Sequence, residues 1–206
     1  NAFTRYGGYN SVFPEGGYQT SIDIFLNSED SVGEDYRIDW SSAINHVTGV
    51  HRRDYIFHVG TDVNNHGGFV VSATNNSPGQ PDKPSENPVY LAEGGWYTFQ
   101  HSFDQDANGT LLANMNLFDA TGELLGTWAR LTVDDIIGVT VGGNRYGWLV
   151  TNTFPTPITA DNVIRTGRVP ADKEQCKNHG WQQAFRADGS SFKNQGRCIK
   201  YVKTGK

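Results

Sequence analysis

The chain has 206 residues, 36% of them hydrophobic, enough for the core of one domain, and its 24 glycines and 12% aromatic residues argue against a helical bundle. The net charge is −5 without a basic stripe, which excludes a nucleic-acid binder that reads phosphate electrostatically. No apolar run approaches the ~18 residues of a membrane span.

Period-two alternation recurs along the sequence and predicts strands. Over residues 20–26, Ile22, Ile24 and Leu26 fall on one face, with Ser21 and Asp23 on the other. Residues 54–59 (DYIFHV) set Tyr55, Phe57 and Val59 against Asp54, Ile56 and His58. Gly67 and Gly68 lead into the apolar run Phe69, Val70, Val71, and NNSPGQPDKPSENP then reads as a long loop closed by prolines. Residues 96–103 place Tyr97, Phe99 and Phe103 opposite Trp96, Thr98, Gln100 and Ser102. A hairpin follows. DQDANG is a turn, Leu111, Ala113, Met115 and Leu117 alternate with Asn114 and Asn116, DATG is a second turn, and ELLGTWARL is the return strand. Residues 139–141 and the NRYGWLV segment are further strands, and residues 161–164 are the last before the tail. Only residues 131–137 (LTVDDII) read as a helical turn. About ten antiparallel strands with no helix to cover a sheet leave a sandwich or a barrel.

The stretch GGWYTFQHSFDQDANGTLLANMNLFDATGELLGTW resembles the central segment of the concanavalin A-like lectin/glucanase superfamily. There a Gly-Trp-Tyr strand precedes a hairpin with an Asn-Gly or Asp-Gly turn, then a second hairpin. ITADNVIRT is similar to the closing strand of such domains, so the likeness covers residues 3–166. It implies an all-β, concanavalin A-like antiparallel β-sandwich (a jelly roll) over residues 1–168, with a polysaccharide or oligosaccharide in a concave groove. Aromatic faces, planar amides and guanidinium groups hold sugars, and this chain is rich in them.

Residues 169–206 form a tail holding both cysteines, Cys176 and Cys198. So close together, the two thiols most simply form one disulfide, which implies a secreted, extracellular protein. The tail also resembles short disulfide-closed endings of secreted bacterial proteins. Two unconnected thiols are the alternative. Zinc is the weaker rival, since His179 is near but no C-x-x-C pair exists. Asn75 and Asn108 open formal glycosylation sequons.

Retaining glucanases of the superfamily carry paired carboxylates on one strand, spaced for double displacement at about 5–5.5 Å. The seven glutamates here, Glu15, Glu29, Glu34, Glu86, Glu93, Glu123 and Glu174, never share a strand, so that mechanism is absent. A polysaccharide lyase acting on a uronate-containing glycan needs a base and groups that neutralise the carboxylate. His58 or Tyr146 could be the base, with Arg52, Arg145 and Asn144 as neutralising groups. The lyase strand motifs R-x-E-L-R, Q-I-H and Y-F-K-x-G are missing, however. The structural alternatives are a hydrogen-bonded His58 on a polar sheet face, and ion pairs of Arg52 and Arg53 with Asp54 and Asp39. Gln100, Asn114 and Asn116 present amides on one polar face. Asp161 resembles the calcium-binding aspartate of the closing strand, against a turn-capping role; DQDANG lacks a closing glutamate and is no calcium loop.

Three functions follow: carbohydrate binding without catalysis, a polysaccharide lyase, or a structural or adhesion domain. Arg52, Asp54, Gln100, Asn144, Arg145, Tyr146 and Trp148 are the expected sugar contacts. GGNRYGW is the sharpest of these signals, since glycine offers a strand nothing to pack. Strict alternation places Asn144, Tyr146 and Trp148 together and Arg145 opposite, unless a bulge at Gly142 and Gly143 turns it.

Overall fold

The computed structural model describes residues 2–6, 9–31, 37–61, 67–76, 87–152, 157–167, 170, 172–178, 180–182, 184, 186 and 192–205, without the side chains of Ser31 and Asn152. Within them lie eleven strands: β1 (Ala2–Thr4), β2 (Tyr18–Leu26), β3 (Arg37–His46), β4 (His51–Thr61), β5 (Phe69–Thr74), β6 (Val89–Leu91), β7 (Gly95–Gln105), β8 (Thr110–Phe118), β9 (Leu124–Ile136), β10 (Val141–Asn152) and β11 (Thr159–Gly167). They form two antiparallel sheets, ordered β1-β10-β3-β4-β5-β6 and β11-β2-β7-β8-β9. The chain crosses between sheets after β1, β2, β6, β9 and β10, so neighbours in sequence are not always neighbours in a sheet. The result is an all-β, two-sheet antiparallel sandwich, one of the two architectures, sandwich or barrel, that the alternation left open.

The period of two decides which side chains meet in the middle. Ile22, Ile24 and Leu26 of β2, Phe99 and Phe103 of β7, and Leu111, Met115 and Leu117 of β8 point inward from the five-stranded sheet, all buried. From the other sheet come Ile38, Trp40 and Ile44 of β3 and Tyr55, Phe57 and Val59 of β4. Phe57 stands edge-on to Phe99 and Trp128, with ring centroids 5.3 and 5.9 Å apart, and so joins the two inner faces.

Three elements differ from expectation. Residues 131–137 are not helical: residues 131–136 continue β9, paired with β8 through Leu112 and Leu131 and through Thr110 and Ile136, because Thr132, Val133 and Ile136 suit a strand. Residues 138–140 form a turn, and the next strand starts only at Val141. The tail contains a helix, α1 (Gln195–Thr204), capped by the Asn194 side chain on the Arg197 amide and closed by Gly205 at φ 68°.

Cys176 and Cys198 are bonded, with Cα atoms 5.7 Å apart, in a small core with Ala184 and Phe192. Trp181, Ile199, Tyr201 and Val202 pack on that core. His179 and residues 77–86 of the proline-closed loop lie outside the described residues, as does the expected boundary at 168 and 169. So small a core depends on its cross-link: closing a loop of this length is worth about 3 kcal/mol. Reduction is expected to open the tail and leave the sandwich folded. Limited proteolysis read by intact mass should then show cuts confined to the tail, and a reduced tail as resistant as the oxidised one would contradict this.

Candidate functional site

The outer face of the five-stranded sheet is polar by alternation, and its rows line up across strands. One row runs Ser21, Gln100, Asn116, Thr127 over β2, β7, β8 and β9. The Thr127 hydroxyl donates to Asn116 Oδ1 (2.7 Å), and Asn116 Nδ2 donates to Gln100 Oε1 (3.2 Å). That direction of donation leaves the Gln100 amide hydrogens available to a ligand. The next row brings Asp23 opposite Thr98, whose hydroxyl donates to Asp23 Oδ1 (2.6 Å), while Asn162 Nδ2 donates to Oδ2 (2.7 Å). At one end Phe25 and Trp96 pair across the strands, 5.5 Å apart, with the Trp96 indole 39% exposed.

Two depressions lie along this face. The first, about 600 Å³, is lined by Gln19, Ser21, Gln100, Ser102, Asp104 and Arg186, with Gly17 in its wall. Gly17, at φ 82°, packs so closely that a Cβ there would run into the Phe103 carbonyl and the Asp104 carboxylate. The second, about 530 Å³, is lined by Asp23, Trp96, Thr98 and the turn at residues 119–122. Together they form a groove of amides, hydroxyls and carboxylates with an indole at one end. Gln100 was foreseen here; Gln19, Ser21, Asp23, Trp96 and Asp104 were not. The available signal was Trp96, a large aromatic on the polar side of its strand.

The other expected contacts lie elsewhere. Bulges interrupt the pairing of β10 with β3 on both sides of Asn144, so the alternation assumed for GGNRYGW does not hold. Asn144 is 1% exposed, and its carbonyl accepts the Asn10 amide and Asn45 Nδ2. Arg145 donates to Asn45 Oδ1 and to the Gly49 carbonyl, with its guanidinium 4.9 Å over the Tyr9 ring. The glycines have a packing reason: a Cβ on Gly142 or Gly143 would strike the backbone of residues 10–12, and one on Gly147 would strike Tyr6 and Trp40. Tyr146 and Trp148 do reach the surface, on the outer face of the six-stranded sheet. Tyr146 stacks on His51 and lies against Phe3, and Trp148 is 40% exposed. Burial and the adjacent Asp54 carboxylate push the Tyr146 phenol up to about 12, the wrong direction for a base.

His58 is 4% exposed; its Nδ1 lies 2.6 Å from Asp39 Oδ1 and 2.7 Å from Arg37 Nη2, and its Nε2 lies 2.9 Å from the Thr74 hydroxyl. This is the structural role weighed above. Asp54 holds His51 Nε2 at 2.9 Å. Arg52 and Arg53 make structural ion pairs, as the alternative reading expected, but with the buried Asp135 rather than Asp54 or Asp39. Asp161 lies within β11, where the register with β2 shifts after it; its Oδ1 accepts the Asn162 amide, and it faces Asp23, whose two oxygens accept hydrogen bonds. Among the described residues no three His, Cys, Asp or Glu gather as metal ligands.

No family model matches the chain, and no curated protein does. Among solved structures it is similar to the CBM2 module of the evolved Dit of Lactobacillus casei BL23 phage J-1, with 11% identity and a TM-score of 0.39. The match covers 75% of this chain and 60% of that one, so the chain spans less than two thirds of that module's length. A likeness this distant carries no argument about function. The two-sheet sandwich therefore stands on its strand pairing, without a family assigned.

Proposed function

We propose that the protein binds an oligosaccharide or polysaccharide in the groove on the outer face of β11, β2, β7, β8 and β9, without turning it over. The observation that carries the reading is the Thr127–Asn116–Gln100 relay on the same outer face as the exposed Trp96 indole. Sugars offer hydroxyls in two roles and apolar ring faces. The groove offers oriented amide hydrogens, acceptor carboxylates and Trp96 for them. Catalysis is left out because His58 is engaged at both nitrogens and the Tyr146 phenol is raised. We further read the sandwich as a concanavalin A-like jelly roll and the protein as secreted. The disulfide supports an oxidising compartment, and among the described residues no helix is long and apolar enough to cross a membrane.

The test is binding to immobilised polysaccharides. Trp96→Ala and Gln100→Ala are each expected to weaken binding at least tenfold, or about 1.4 kcal/mol, with an unchanged melting temperature. Trp148→Ala, on the opposite sheet, should bind normally. Loss of binding in Trp148→Ala alone would move the site to the six-stranded sheet. New ultraviolet absorbance on incubation with uronate polymers would instead establish a lyase. Neither binding nor turnover would leave a structural or adhesion domain.

A further inference from the structure

We infer that the glycan taken by this groove is an uncharged linear chain lying along β2 and β7, and that the groove's carboxylates exclude uronates and sulfated sugars. The inference rests on the carbohydrate reading of the same groove. The two depressions lie end to end over one strand pair: Ser102 and Gln100 line the first, Thr98 and Trp96 the second. Eight residues of extended strand separate Asp104 from Trp96, about 26 Å of path. That length suits several consecutive sugar rings better than a single one.

The charges bordering the path are mostly of one sign. Asp104 stands at one end and Asp119 in the turn at the other, with Asp23 and Asp161 opposite each other between them. Among the described lining residues the cation is Arg186, confined to the Asp104 end. Hydrogen bonds from the Thr121 side chain and from backbone amides of its turn keep the Asp119 carboxyl below its usual range, hence ionised. Ser102 donates a hydrogen bond to Asp104 Oδ2 at 2.9 Å. A neutral chain meets these oxygens as acceptors for its hydroxyls. A polyanion meets them as like charges repeated along its length, and such repulsion is how a site rejects a partner of otherwise matching shape. The groups are solvated, so salt should screen the effect.

Affinity gel electrophoresis can decide it, with dextran, hydroxyethylcellulose, galactomannan and arabinoxylan each run beside its carboxymethylated derivative. The expected result is retardation by at least one neutral polymer and at least ~tenfold weaker binding of its carboxymethylated form at low salt. The gap should narrow at high salt, and also in an Asp104→Asn/Asp161→Asn variant whose melting temperature is checked. Oligomers of the bound polymer should gain affinity with length until both depressions are covered. Equal or tighter binding of the carboxymethylated polymer, abolished by Trp96→Ala, would overturn the inference and leave the groove's carbohydrate role intact. Failure of every polymer, with alginate and polygalacturonate included, would remove that role and the inference with it.

Discussion

An Asp135→Ala variant is expected to lose about 3–5 kcal/mol of stability, a fall of roughly 10 °C or more in melting temperature. Asp135 is fully buried near the end of β9, in the five-stranded sheet. Its Oδ2 accepts Arg53 Nε at 2.8 Å, and its Oδ1 accepts Arg52 Nε at 2.9 Å and Arg53 Nη2 at 3.3 Å. Both arginines belong to β4 in the other sheet, so this triad ties the two sheets together across one end. Neighbours on a strand normally point to opposite faces. Here the β3–β4 register slips between Ile44 and Asn45, which lets Arg52 turn toward the same carboxylate. Removing Asp135 takes the shared carboxylate from two guanidinium groups, one of them almost wholly buried, and the loss of that neutralising charge around a desolvated guanidinium is the source of the cost. Arg52→Ala should cost only about 1 kcal/mol, because its side chain is partly solvated and Arg53 still neutralises the aspartate. Urea unfolding with unchanged slope measures both, and a loss below about 1 kcal/mol in Asp135→Ala would end the argument. Glycan binding per folded molecule should be the same in both variants, in contrast to a sugar-contacting Arg52.

The protein is also expected to lose stability steadily as the pH falls below about 6.5, through His101. This imidazole is fully buried on the inner face of β7, 4.9 Å from Phe57 and 5.9 Å from Phe103 between ring centroids, with Thr20 Oγ1 3.4 Å from its Nδ1. Burial disfavours the charged form and holds its pKa down to about 3. Between pH 6.5 and 3 the unfolded chain therefore binds a proton that the native protein refuses, so stability is present above that window and lost as pH falls through it. Each pH unit costs about 1.4 kcal/mol, or about 2 kcal/mol at pH 5. Carboxylates add their own slope at the acid end, so the comparison is with His101→Gln, which cannot titrate. The variant should be less stable at pH 8 and show a flatter limb between pH 6.5 and 4. Parallel pH profiles for the two proteins would rule out His101 as the source.

Local alternation was enough to predict the faces of β2, β7 and β8. Ile22, Ile24, Phe99, Met115 and Leu117 are apolar at every second position, and each strand stays regular throughout, so inward and outward follow from parity alone. The same parity marked Trp96, Thr98, Gln100, Asn114 and Asn116 as one polar surface, and the two cysteines, so near in sequence, pointed to their bond. Tertiary structure decided the rest. Arg145 could not be placed from GGNRYGW because bulges around Asn144 reset the count, and its glycines answer to the backbone of residues 10–12 and to Tyr6, far away in sequence. Nor could Asp135, read within a helical turn, reveal that two arginines some eighty residues earlier would claim it. The groove itself depends on which strands lie side by side: Asp23, Gln100 and Asp161 become neighbours only when β2 pairs with both β7 and β11. A strand's own residues set its two faces, but the partners across a sheet or across a core are set by long-range pairing, which no local period encodes.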